Sequence, residues 1–182
     1  MAYRLLLVSE SDSTDQAARG ADHERLLSTV HVPEDAGEHA EALTGILLRI
    51  PENWGRWISC SRGWYPLLVE LDEQLRALLP DYVIHQVKEK FGGLRYYWES
   101  GEGVQDPDDR KAAERIADLE RRMELARELV NTAEKRAVVT CELCGAPGRM
   151  HRTPSPSHRY KTLCPACAER EGYVPVSSRT AT

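Results

Sequence analysis

Two Cys-x2-Cys pairs, Cys141–Cys144 and Cys164–Cys167, stand 19 residues apart in the last third of this 182-residue chain. No other feature limits the fold as tightly. Two residues between ligands let one tight turn present both sulfurs to a single ion, and the separation of the pairs falls in the range of two-pair zinc sites. Thiolates are soft ligands, and four of them make the closed tetrahedral shell typical of structural zinc. The expectation is one structural Zn2+ held by Cys141, Cys144, Cys164 and Cys167, with no position left for a reactive water. Gly145 relaxes the turn after the first pair, so that its amides can point at the sulfurs. Residues 160–163 read as a strand, and Pro165 fits the first turn of a short helix through Arg170. A knuckle, a hairpin and a helix bearing the last two ligands describe a treble-clef-like finger, with a stand-alone ribbon as the near alternative. Such modules depend on their metal to fold, so chelation is expected to unfold this one and need not unfold the helices before it.

The remaining composition is that of a soluble globular protein, 41% apolar and 29% charged. No apolar run approaches the roughly 20 residues that cross a bilayer. The short stretch Leu5 to Val8 lacks the flanks and length of a signal peptide, so a cytoplasmic location is expected. Cysteines in a reducing compartment favour metal over disulfides. The net charge of −5 argues against a generic nucleic-acid binder. Charge is uneven, however: the first 50 residues are acidic, and the stretch after Ala137 is mildly basic.

Ahead of the cysteines the pattern is mixed. Residues 3–8 read as a buried strand, 9–22 as a mobile loop, and 26–32 as either a strand or a short helix. Ala36, Ala40, Leu43, Leu47 and Ile50 mark one face of a helix over 33–50, opened by Pro33 and ended by Pro51. Trp64, Leu68, Leu71, Leu75 and Leu78 mark a second helix, stopped at Pro80, with Trp54, Trp57 and Trp64 expected to anchor it to its neighbours. Residues 82–90 and 94–99 form a predicted hairpin around Phe91-Gly92-Gly93, the adjacent glycines supplying positive φ. Leu94, Tyr96 and Trp98 share one of its faces, Arg95, Tyr97 and Glu99 the other. Asp106 then caps a long helix with Pro107 in its first turn. Its seam, Ala112, Ile116, Leu119, Met123, Ala126, Val130, Ala133 and Ala137, keeps a heptad pattern. Packing of this seam within a monomer is expected, and a coiled-coil homodimer is the alternative.

The predicted fold class is therefore α+β: helices, a β-hairpin and a long heptad-patterned helix over 1–136, a four-cysteine zinc module over 137–171 and a flexible tail over 172–182. Several residues are candidates for further sites. Gln86, Lys88, Lys90, Arg95 and Tyr97 give the hairpin a basic and aromatic face, and Arg149, Arg152, Arg159 and Lys161 form a basic patch between the cysteine pairs. Both patches are candidate binding surfaces. His151 and His158 are expected as solvated loop residues rather than ligands, and Cys60 as a packing cysteine rather than a reactive thiol. His39-Ala40-Glu41 matches the first half of a zinc-deaminase pattern, but the cysteine pairs are distant and do not follow a proline. Asp106, Asp108 and Asp109 are expected to cap the long helix rather than hold a cation.

Gly63-Trp64, Gln86-Val87-Lys88-Glu89-Lys90-Phe91-Gly92-Gly93-Leu94-Arg95-Tyr96-Tyr97, Cys141-Glu142-Leu143-Cys144-Gly145 and Leu163-Cys164-Pro165-Ala166-Cys167 together resemble an uncharacterised family of small zinc-finger proteins of tailed phages and bacteria. The likeness covers roughly residues 50–170 and implies kinship without a mechanism. It would place the protein in a host cytoplasm if phage-encoded, where modulation of host machinery or defence is plausible. The expected function is a non-enzymatic zinc-binding interaction protein with another protein as partner. A nucleic-acid-binding module using the hairpin and basic zinc loop is the alternative, and an enzyme comes third, because no nucleophile–base pair or phosphate loop is evident.

Overall fold

The computed structural model describes residues 29–102 and 111–176. The strand expected at 3–8, the loop at 9–22, the Asp106–Pro107 cap with Asp108 and Asp109, and residues 177–182 lie outside the described residues.

The architecture is mixed α+β, as the pattern predicts; the segment 26–32, open between strand and helix, holds a strand at Val30–His31, and a further strand at Arg56–Ser59 is one that the pattern does not reveal. Strands β1 (Val30–His31), β2 (Arg56–Ser59), β3 (Val83–Lys90) and β4 (Gly93–Glu99) form one sheet in that order. β1 and β2 run parallel, as do β2 and β3, whereas β3 and β4 are the antiparallel hairpin. Helix α1 (Ala40–Leu48) connects β1 to β2, and α2 (Tyr65–Leu78) connects β2 to β3, each supplying the crossover that parallel neighbours need. Helix α3 (Ala112–Ala137) follows β4 and packs on α2 and β4.

All three helices cover one face of the sheet. Leu43, Ile46 and Leu47 of α1, Leu68, Leu71 and Leu75 of α2, and Ala126, Val130 and Ala133 of α3 join Ile58, Ile84, Val87, Leu94 and Tyr96 in a single core. The alternation of β2 and β4 leaves Trp57, Ser59, Tyr97 and Glu99 on the other face, exposed. Arg49 on the short segment after α1 binds this layer together. Its Nε pairs with buried Asp72 at 3.0 Å, and its guanidinium lies over the Tyr82 ring. The Tyr82 hydroxyl donates to Asp72 at 2.5 Å and meets the Tyr96 hydroxyl at 2.9 Å. Burial holds the Tyr82 phenol far above its usual range, so this network stays protonated at the tyrosines.

Several expectations are corrected. α1 begins later than Pro33: a turn closes from the Pro33 carbonyl to the Ala36 amide, Gly37 takes φ +54°, and only a 3-10 turn, Gly37–His39, leads into the helix. Of the clustered tryptophans only Trp64 is an anchor, fully buried, whereas Trp54 is 57% and Trp57 49% exposed. Period-2 alternation on β2 turns Trp57 outward, opposite to Ile58. In the hairpin the positive φ angles belong to Phe91 (53°) and Gly92 (78°), not to the two glycines. Lys90 pairs with Gly93, so the loop has two residues, and a two-residue turn of this hand requires φ > 0 at both of them. The long seam is buried only in its second half. Ala126, Val130, Ala133 and Ala137 are inside, Leu119 and Met123 are partly buried, and Ile116 is 38% exposed.

The C-terminal part makes its own small sheet, order β6-β5-β7, from β5 (Arg149–Arg152), β6 (Tyr160–Leu163) and β7 (Val174–Pro175), with α4 (Pro165–Arg170) after β6. β7 pairs antiparallel with β5, so the segment expected as a tail is part of this sheet through Pro175. No helix among the described residues is long and apolar enough to cross a membrane.

Candidate metal centre

The four cysteines converge because three local structures end at one point. The chain leaves α3 at Ala137 and enters a knuckle in which the Cys141 amide donates to the Ala146 carbonyl (2.7 Å) and the Gly145 amide to the Cys141 carbonyl (2.8 Å). Gly145 has φ +79°, the left-handed conformation that a side chain would oppose. The β5–β6 hairpin then returns the chain to Cys164, which sits at the N-cap of α4, and one turn of that helix brings Cys167 alongside. The Sγ atoms of Cys141, Cys144, Cys164 and Cys167 all lie within 4.8 Å of one another.

These sulfurs fit a tetrahedral ion. Four ligands at a zinc–sulfur distance of about 2.3 Å stand roughly 3.8 Å apart, and Cys144 and Cys164 are 3.7 Å apart. The Cys167 amide donates to the Cys164 sulfur at 3.4 Å, and Arg170 reaches the Cys167 sulfur at 3.7 Å. The same amide brings the Cys164 thiol down to about 7, while burial and the neighbouring sulfurs push Cys167 up to about 12. Closely spaced thiols cannot all ionise alone, and a cation at their centre removes that restriction. Cys141, Cys164 and Cys167 are buried, and Cys144 faces solvent. Among the described residues no other cluster of three or more His, Cys, Asp or Glu side chains is placed to hold an ion.

The metal centre is joined to the sheet layer by polar contacts that sequence reasoning missed. Glu142, between the first two cysteines, is 1% exposed. Its carboxylate accepts from the Ser61 amide (3.3 Å) and hydroxyl (3.2 Å), and from Lys161 Nζ (2.8 Å). The Glu142 carbonyl accepts from the Gly63 amide at 2.8 Å, and the Thr140 carbonyl from Trp64 Nε1 at 2.8 Å. From the other side the Thr162 hydroxyl donates to the Gly92 carbonyl at 2.6 Å. Gly63 is obligatory here: a Cβ on it would stand 2.2 Å from the Cys141 carbonyl oxygen. Gly63-Trp64, the hairpin turn at Gly92, the Cys141–Gly145 knuckle and the strand ending at Leu163 therefore meet at one interface. The signal available in the sequence was Glu142 itself, a carboxylate inside a Cys-x2-Cys loop where nothing local compensates it.

Other candidate residues separate into distinct settings. Lys161 is neutralised by Glu142, and Arg95 lies 3.7 Å from Glu134 of α3. Gln86, Lys88 and Lys90 align with Tyr97, Arg95 and Gly93 across the hairpin. Arg149 and Arg159 are exposed, and Arg152 is half-buried, its Nη1 3.3 Å from the Nδ1 of exposed His158. His151 corrects an expectation: it is 1% exposed on β5, Nδ1 2.8 Å from the Arg149 carbonyl, because strand alternation turns it inward. Cys60 packs against the main core, and burial raises its thiol well above the usual range, which fits a packing role. His39 is partly covered and Glu41 exposed on α1.

Comparison of the chain with protein-family models, with curated proteins and with solved structures finds no match. Fold and site together define a mixed α+β layer bearing a C-terminal four-cysteine cluster that can hold a metal ion.

Proposed function

We propose that this chain is a non-enzymatic zinc-binding interaction protein. One Zn2+ on Cys141, Cys144, Cys164 and Cys167 completes a treble-clef-like module and fixes it against the hairpin. The observation that carries the reading is the set of four sulfurs within 4.8 Å, all supplied by one chain. Four thiolates fill a tetrahedral shell, which suits structural zinc better than hydrolysis. The metal would act by holding a surface in shape, since the knuckle residues that bear it also grip Gly63, Trp64 and Ser61.

A protein partner is supported by exposed apolar side chains, Trp54, Trp57 and Phe91 foremost. The family resemblance adds a phage or bacterial setting in which such a partner would belong to the host. Nucleic acid is the second reading, and a specific observation favours it: Trp57, Tyr97 and Lys88 share the sheet face opposite the described helices.

Native mass spectrometry of protein purified without added metal tests the zinc reading. One zinc per chain, lost on chelation together with order in residues 138–176, is the expected result. Protein that carries no metal, with its cysteines free or disulfide-linked, would overturn it.

A further inference from the structure

The sheet has one face under α1, α2 and α3 and an opposite face that none of these helices covers. Along the open face the register sets a row across the strands. His31 pairs with Trp57, and the pairing of Ile58 with Val87 places Trp57 beside Gln86, which pairs with Tyr97. Trp57 and Tyr97 therefore stand two strand spacings apart, roughly 10 Å, 49% and 42% exposed. The Trp57 ring is held in place: it lies against Gly55, where a Cβ would stand 1.6 Å from ring atom Cζ3. Beside this row, Trp54, His85, Gln86 and Tyr97 line an open cavity of about 350 Å3, with the Trp54 and His85 rings 4.7 Å apart.

Four residues further along β3, about 13 Å, the hairpin tip opens on a second cavity of about 460 Å3 against the zinc module. Lys90, Phe91, Arg159, Tyr160 and Tyr173 line it together with the carboxylate of Glu89, and Phe91 is 69% exposed. Two lysines follow Gln86 on β3, each beside a ring: Lys88 Nζ is 5.4 Å from the Tyr97 ring centre and Lys90 Nζ 5.6 Å from that of Phe91. Among the described residues Lys88, Lys90 and Arg159 make no ion pair, unlike Lys161 and Arg95. The carboxylates nearby are engaged: Glu89 accepts from the Gly92 amide at 2.5 Å, and Glu99 is 3.3 Å from His85.

Rings and cations without ion pairs, set in turn along β3 from one cavity to the other, match a polyanion whose flat groups are free to stack. We infer that this face binds single-stranded nucleic acid, with bases stacking on Trp57, Tyr97 and Phe91 and phosphates on Lys88, Lys90 and Arg159. A duplex keeps its rings stacked on one another and would leave the aromatics idle, whereas an unpaired strand offers both chemistries. The net charge of −5 fits a narrow local track better than a broad duplex-binding surface. The inference rests on the second of the two partner readings above and supplies its surface and ligand class.

Fluorescence anisotropy of the zinc-loaded full chain against labelled oligo(dT) and oligo(rU), each about a dozen nucleotides and so longer than a small site, is the test. Binding is expected to weaken with salt, with a log–log slope of about −2 for three phosphates on a single strand. Trp57→Ala and Tyr97→Ala are each expected to weaken it about tenfold, while Trp57→Phe restores most of the loss. Lys88→Gln is expected to flatten the salt slope. Comparison of the two oligomers shows whether the strand is DNA or RNA. The proposal is overturned by absence of binding, by binding indifferent to Trp57→Ala and Tyr97→Ala, or by equal preference for duplex. Displacement by polyglutamate at equal charge would also overturn it, pointing to an acidic protein instead. Zinc content measured on the same samples separates these failures from failure of the metal reading, and both exposed variants are checked for folding by circular dichroism.

Discussion

The sheet layer and the C-terminal module hold together by different means. In the layer 22 buried side chains among the described residues form one continuous apolar core, from Ala36 to Ala137. In the module the buried cluster has five members, Cys141, Leu163, Cys164, Cys167 and Ala168, and three of them are cysteines. A core that small cannot offset the entropy of ordering the chain around it, so the sulfurs must contribute through something other than burial. The seam between the two regions is different again. It is polar and tightly fitted, with Glu142, Ser61, Lys161 and Thr162 at its centre. The contrast shows how a module with little core of its own can still be rigidly placed, provided that its neighbour supplies well-matched backbone partners.

The largest effect is expected from the metal. Chelation, or Cys141→Ser with Cys164→Ser, should remove on the order of 10 kcal/mol from the module. Hydrogen exchange should then show residues 138–176 losing protection while α1 and α2 keep theirs. Loss of protection throughout the layer would erase the distinction between the two regions. Gly63→Ala comes next, at about 3 kcal/mol, because a Cβ must push back the Cys141 carbonyl. In urea denaturation this variant should be less stable while its metal content matches the parent's, and parent-like stability would mean that the seam is not closely fitted.

Glu142→Gln should cost about 2 kcal/mol, less than for a fully buried ion pair, because Lys161 is 27% exposed. Thermal melts of Glu142→Gln and of Glu142→Gln with Lys161→Met would sharpen the point. The double variant is expected to recover part of the loss, since no uncompensated ammonium remains. The smallest effect belongs to the far end of the long helix. Ile116→Ala should cost about 0.5 kcal/mol, against about 2 kcal/mol for Val130→Ala on the same stripe. Chemical denaturation at two protein concentrations checks this pair. A larger, concentration-dependent cost at Ile116 would mean that the outer half of the seam is buried between two copies of the chain.

Much of this was legible from residues alone. Cys141, Cys144, Cys164 and Cys167 announced one site because ligand spacing is local geometry, and β6 and α4 followed from the strand-like run and Pro165 beside them. The hairpin and the faces of α2 and α3 were visible because their side chains repeat with a fixed period over many residues. β2 was not visible, and β1 falls within 26–32, where strand and short helix could not be separated. With two and four residues they are too short to show a period, and they pair because the α1 and α2 crossovers set β1 beside β2 and β2 beside β3. The placement of Trp54, Trp57 and Trp64 was undecidable for a related reason: aromatic residues pack or stack equally well, and only the register of β2 turns Trp57 outward and leaves Trp64 to the core. The four clustered cysteines, the hairpin and the helical stripes could be read from the residues because all are properties of neighbours along the chain. That Glu142 meets Ser61, that Gly63 lies against the Cys141 carbonyl and that the described helices all gather on one sheet face follow from folding, because each depends on residues far apart along the chain.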